Sequence, residues 1–192
     1  MLGISISNKI SWANQISKAS LSAAKCLGYL RRCKFYFNSS ELLKIYKSYI
    51  RPKLEYNSYI WAGAPKTHLA VLDQIQSRAC RLIADINVSS TLDSLSHRRN
   101  VGALCVFYKY FHGKCSDELY DLMPGLSRPV RLLRRSAHRY NLELPFAKTN
   151  KFQSSFFIRT TRLWNKLDDD AFPLTFDLQK FKRYINKRIL DD

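Results

Sequence analysis

Acidic residues are scarce in this chain. It carries 15 aspartates and glutamates against 32 lysines and arginines, a formal net charge of +17. An excess of that size attracts polyanions, with nucleic acid the first candidate and an anionic membrane surface the second. Glycine and proline are also sparse, six of each, which excludes a collagen-like or linker-dominated chain. The five cysteines (Cys26, Cys33, Cys80, Cys105, Cys115) are odd in number and include no CxxC pair. They make a poor disulfide framework and a poor zinc site, and read as small buried hydrophobes in a reducing compartment. His68, His97, His112 and His138 are dispersed, none with a second ligand three or four residues on, so no metal is expected. The N-terminus lacks a basic region followed by an apolar run, and no window approaches ~20 consecutive apolar residues. The expectation is a soluble intracellular protein, nuclear or cytoplasmic, with no membrane partner. Phosphate-cradling GxxxxGK[ST] and GxGxxG loops and a GxSxG elbow are all missing. The Asp168-Asp169-Asp170 run lies at an expected helix end, with no further carboxylate motif or strand-turn-strand context to aim it at a metal pair. No catalytic residue and no cofactor is assigned.

What is present is amphipathic and aromatic. Hydrophobic residues make up 46% of the 192 positions and aromatic residues 13%, enough for one sizeable core or two small ones. The stretch NSSELLKIYKSYIRPKLEYNSYIWAGAP, residues 38–65, carries the pattern most clearly. Asn38 and Glu41 have capping-box spacing at a helix start. Leu42, Ile45, Tyr46 and Tyr49 form an apolar stripe, while Lys44, Lys47 and Arg51 form a basic one at i, i+3, i+7. Pro52 predicts a kink or break. Beyond it Leu54, Tyr56, Tyr59, Ile60 and Trp61 read as a second short helix whose aromatics either stack bases or fill the core, with the core favoured at this density.

Elsewhere, residues 2–6 alternate like a short strand, and a helical pattern runs from Ala13 to about Tyr36 with Ile16, Ala19, Ala23, Leu27 and Leu30 inward. Pro65 suits the first turn of a helix that reaches about Asp85, with Arg78 and Arg81 beside its apolar stripe. Asn87 fits a C-terminal stop for that helix, and Ser90 to Asp93 has the spacing of a second capping box before a long helix that Gly113 ends. His97, Arg98 and Arg99 form a basic cluster within it. From Arg128 to Lys166 ten lysines and arginines face a single acid, Glu143. Residues 126–139 read as a basic loop carrying Arg131, Arg134, Arg135 and Arg139, and residues 141–144 as a short strand. A terminal helix begins near Thr175 or Asp177 with Leu178, Phe181, Ile185 and Ile189 inward. The expected fold is mainly α, a helical bundle over residues 1–125 followed by a basic, partly irregular subdomain over residues 126–192, with one or two short strands.

The segments LRRCKFYF, LLKIYKSYIRPKLEYNSYIWAGAP, LDQIQSRACRLI, LDSLSHRRNVGALCVFYKYFHGKC and FFIRTTRLWNKL occur in that order. Together they resemble the region downstream of the polymerase palm in reverse transcriptases of non-LTR (LINE-type) retrotransposons, especially jockey-like elements. The opening LGISISNKISW is similar to the close of that family's palm. The resemblance implies a thumb-like helical bundle that grips a template–primer duplex by its backbone and packs on a palm. In such a family the polymerase aspartates and their magnesium belong to the palm, so polymerase activity of this chain alone is not implied. One departure is Asp168, which stands where the family usually has a proline after the LWNKL-type motif.

The leading functional expectation is therefore a sequence-independent module for an RNA/DNA template–primer, acting through phosphate neutralisation. Its expected contact residues are Lys44, Lys47, Arg51, Arg78, Arg81, Arg98, Arg99, Arg131, Arg134, Arg135 and Arg139. The alternative is a non-catalytic helical protein-interaction fragment or inert remnant of a decayed element. A helix-turn-helix factor finds little support, since no tight motif with an exposed polar recognition face is evident.

Overall fold

The computed structural model describes residues 3–5, 7–8, 10–126 and 138–188. These residues are mainly helical and divide into two compact units, with the break between Leu95 and Ser96. The compositional change at Gly125 thus falls inside the second unit, where the Gly125 carbonyl accepts a 2.8 Å hydrogen bond from the Glu143 amide. Among the described residues the only β pairing is an isolated antiparallel bridge between Leu126 and Leu142. The expected strand over residues 141–144 shrinks to that bridge. At the N-terminus Gly3, Ile4 and Ser5 form no strand. The Ser5 amide instead donates to the buried Gln15 side chain at 3.0 Å. No described helix is long and apolar enough to cross a membrane.

The first unit is built on α1 (Ala13–Cys33), α2 (Ser39–Ile45), α3 (Arg51–Glu55), α4 (Ser58–Trp61), α5 (Lys66–Ile83) and the short α6 (Ile86–Ser89). α1 runs straight into a single 3-10 turn over Lys34–Tyr36. The capping box that opens α2 forms in both directions: Asn38 Oδ1 accepts from the Glu41 amide at 3.0 Å, and Glu41 Oε2 accepts from the Asn38 amide at 2.9 Å. A π-helical turn, Tyr46–Ile50, joins α2 to α3. Pro52 does not break the helix. The chain widens first, and the Arg51 amide reaches back five residues to the Tyr46 carbonyl. That wider turn absorbs a proline that lacks an N–H and would crowd the carbonyl four residues earlier. It also moves the buried face. Leu42, Tyr46, Ile50 and Leu54 recur at intervals of four and are all in the core, whereas Tyr49, expected inside, is 62% exposed. Trp61 is fully buried and donates from Nε1 to the Tyr56 carbonyl at 3.1 Å; Tyr56 itself is exposed.

α5 ends at Ala84 rather than at Asn87. Ala84 adopts φ 55° and its amide bonds the Cys80 carbonyl at 3.1 Å. Asp85 then caps α6, which includes Asn87, and Ser90 is consumed as that helix's C-cap. The expected capping box at Ser90 therefore does not form, because the residue already closes the preceding turn.

The second unit contains α7 (Leu95–Phe111), α8 (Asp117–Tyr120), α9 (Asn150–Gln153), α10 (Phe156–Trp164) and α11 (Leu178–Lys187). Leu95, the first residue of α7, completes the core of the first unit. Gly113, at φ 64°, ends α7 as its sequence position predicts. Asp177 caps α11, accepting from the Lys180 amide at 2.9 Å; Ile189 lies outside the described residues. The core is aromatic and centres on Trp164, whose ring lies 4.8 Å from Phe172, 5.1 Å from Phe111 and 5.2 Å from Phe107. Phe181 stacks on Tyr108 at 4.2 Å and 11°.

Side chains of α10 and its C-cap hold the segment from His138 to Leu142. Asn165 bonds both the amide and the carbonyl of Leu142, at 3.0 and 2.8 Å. Trp164 Nε1 donates to the Tyr140 carbonyl at 2.8 Å. His138 Nε2 lies 2.9 Å from the Trp164 carbonyl, while Nδ1 accepts from the Tyr140 amide at 3.1 Å. The carbonyl can only accept and the amide can only donate, so the ring is neutral and carries its proton on Nε2. Burial pushes the His138 pKa below the ordinary histidine range, partly opposed by the Trp164 carbonyl and the Asp169 charge. Burial and the Lys114 charge lower His112 as well.

Between the lowered folded value and the unfolded value of about 6.5, the unfolded chain binds more protons than the folded one. The thermal midpoint of the full chain, followed by tryptophan fluorescence, should therefore drop as pH is lowered from about 7.5 to about 5. His138→Gln should flatten part of that slope; a midpoint that is constant or rises on acidification would contradict the assignment.

Candidate nucleic-acid interface

Within the first unit, α1 and α5 flank an open groove of about 390 Å³. Its floor is apolar, from Leu27, Ile75 and Leu82 beside the bare backbone of Gly28. Its rim is cationic, with Arg31 and Lys34 on one side and Arg78 and Arg81 on the other. Each pair stands at i, i+3. Like charges at that spacing disfavour a helix by a few tenths of a kcal/mol, and two such pairs across one groove add further repulsion. The last-turn positions of Arg31 and Arg81 offset some of this through the helix dipole. No acidic side chain lines the groove. Chemically it is a slot that would accept an anion with an apolar or planar body.

Gly28 sharpens that reading. A glycine inside a helix costs about 1 kcal/mol relative to alanine, so it calls for a packing reason. None is present here: a Cβ at Gly28 would meet nothing within 4 Å. The missing side chain leaves the groove open at this point.

The residues expected from sequence to contact phosphate separate into several places. Arg78 and Arg81 are exposed on the groove rim. Lys44 is exposed and Lys47 half-buried, away from the groove lining, and Arg51 ion-pairs with Glu55 at 3.9 Å. In the second unit Arg98 is half-buried. Arg99 is a correction: it is only 4% exposed, on the inward side of α7 with Leu95 and Ala103. Its i+4 spacing from two core residues rules out a role on the cationic face. Arg139 is exposed, lies 4.8 Å over the Tyr140 ring, and donates from its amide to Asp169 Oδ1 at 3.1 Å. Arg139 also borders a shallow depression with Asp169, Asp170 and Lys180, where charges of both signs meet. Arg131, Arg134 and Arg135 lie outside the described residues. The aspartate run is engaged locally, with Asp168 paired to Arg188 and Asp169 holding the Arg139 amide.

Sequence reasoning missed Arg31 and Lys34. The signal was available: LRRCKF repeats the i, i+3 cationic pair of SRACRL, each pair flanked by core leucine or alanine positions.

Three stability outcomes follow. Arg99→Glu should lower the unfolding free energy by roughly 2–4 kcal/mol, because it puts the wrong charge in a buried position. Arg78→Glu should change it by less than about 0.5 kcal/mol. Gly28→Ala should raise it by about 1 kcal/mol. Urea unfolding of the three variants checks all of these. Comparison with protein-family models, curated proteins and solved structures finds no match to the chain.

Proposed function

We propose that this chain is a helical nucleic-acid-binding module that grips a sugar–phosphate backbone without reading base edges. It would act as the thumb-like part of a non-LTR retrotransposon reverse transcriptase. The observation that carries the reading is the groove whose rim holds Arg31, Lys34, Arg78 and Arg81 and whose lining holds no acid. Cations on two antipodal rims suit successive phosphates along one strand, and an apolar floor suits sugar and base surface. The whole-chain charge of +17 would steer encounter with any polyanion before this contact forms. The groove lining holds no Asn, Gln, Asp or Glu to read adenine or cytosine edges, and its arginines and lysine are assigned here to phosphate, so affinity should be indifferent to sequence. The family resemblance supports an RNA/DNA template–primer as the polyanion and a palm as the neighbouring protein surface.

Anisotropy titration of a labelled RNA–DNA duplex across a salt series tests this. If four phosphates are neutralised, the slope of log affinity against log salt should be about −3 to −4. Arg78→Glu/Arg81→Glu should weaken binding to all sequences alike and reduce the slope by roughly half. Gly28→Leu, which fills the groove, should weaken binding without changing net charge. A binding constant flat in salt would overturn the proposal. A chain that self-associates and ignores oligonucleotides would favour the protein-interaction reading.

A further inference from the structure

The end of α1 presents an aromatic surface that the core does not use. Phe35 is 85% exposed and Tyr36 84%, both within the 3-10 turn, and Tyr29, in α1 before it, is 60% exposed. Large aromatics at such exposure are unusual in a cluster, and together they make an apolar patch that folding does not require. Two of the three are set against a cation. Lys34 Nζ lies 5.2 Å from the Phe35 ring centre, and the Arg32 guanidinium 4.8 Å from that of Tyr29. Lys34 also forms part of the groove rim, with Arg31 on the same side. One side chain thus belongs both to the cationic groove and to the aromatic patch, so the two surfaces are continuous.

We infer that the Lys34–Tyr36 turn is a stacking platform for unpaired bases. A duplex with a single-stranded overhang would be its ligand, with backbone phosphates in the α1–α5 groove and the first unpaired bases on Phe35 and Tyr36. This rests on the nucleic-acid reading above and narrows it to the junction between paired and unpaired strand. Three observations point to a nucleic acid over a protein segment. The cations flanking the rings, Arg32 and Lys34, attract phosphate and repel a basic segment. The groove lining holds no acid to receive a basic partner. Exposed rings beside lysine and arginine form the sequence-tolerant platform that single strands use, because every base has a π face. The bases in a blunt duplex are already stacked on one another and have no face to offer such a platform along their length. An overhang does.

The test compares three ligands in anisotropy titrations: a blunt RNA–DNA duplex, the same duplex with a short single-stranded overhang, and the single strand alone. A fluorescent base analogue at the first unpaired position reports stacking directly. The wild-type chain should prefer the overhang duplex to the blunt one and quench the analogue. Phe35→Ala/Tyr36→Ala should cost roughly tenfold or more in affinity for the overhang and single strand, abolish the quench, and leave blunt-duplex affinity unchanged. Both rings lie outside the core, so the thermal midpoint should not move and confirms that the variant is folded. Phe35→Trp/Tyr36→Trp should restore overhang binding. Equal losses on blunt and overhang duplexes, or no loss on either, would overturn the platform; if Arg78→Glu/Arg81→Glu still weakens all three ligands, the backbone-binding reading survives that failure. If the aromatic variant dissolves a self-associated species and leaves nucleic-acid affinity unchanged, the patch is a protein interface and the inference falls. Loss of effect from both double variants would bring down the two readings together.

Discussion

Pro52 has no amide hydrogen, and much of the first unit follows from where that missing donor sits. A regular α-helix from Asn38 would bring the Pro52 ring against the carbonyl four residues earlier. The π turn at Tyr46–Ile50 removes the conflict before the proline is reached. Widening the turn rotates everything beyond it. Ile50 and Leu54 swing into the core behind Leu42 and Tyr46, and Tyr49 swings out to lie 5.1 Å from Lys53. Trp61, in α4 beyond the left-handed Asn57, packs into the same core with its indole nitrogen satisfied by the Tyr56 carbonyl. With that face packed, α1 and α5 share the same core through Leu27, Leu30, Leu72 and Ile75, and their outer edges border the cationic groove.

The second unit meets a different constraint, which is an extended segment with few partners of its own. Residues 138–142 form no sheet beyond one bridge, so side chains of α10 and its cap supply the missing hydrogen bonds. Asn165 replaces a neighbouring strand for Leu142, and Trp164 does so for Tyr140. A buried polar group without such a partner costs far more than the bond itself contributes, which explains why the arrangement is so fully paired. The aromatic rings around Trp164 pack on the same segment, with Phe111 and Phe172 against Tyr140 and Phe172 against His138. The neutral state of His138 is part of the same arrangement, since a second ring proton would displace the Tyr140 amide.

Features that depend on a few adjacent residues were readable from the chain alone. The Asn38–Glu41 capping box, the end of α7 at Gly113, the cap at Asp177 and the start of α5 after Pro65 are each set by backbone conformation or a cap bond within about four positions. Ser90–Asp93 shows the limit of that logic. Its spacing matched a cap, but Ser90 was already taken by α6, a competition that motif spacing does not encode. Arg99 shows the limit from another direction. It sits in a basic triplet, yet shares its helix face with Leu95 and Ala103, and the face outweighs the triplet.

Composition and local spacing were thus enough to establish a mainly helical, strongly basic chain with amphipathic faces, because helix formation and capping are short-range and net charge is a plain sum. They could not assign cations to a common site. Arg31 and Lys34 meet Arg78 and Arg81 only because α1 and α5 pack side by side, and that pairing is settled by burial of residues more than forty positions apart. The π turn likewise depends on whether the core rewards Ile50 over Tyr49, a comparison that exists only once the other helices are in place.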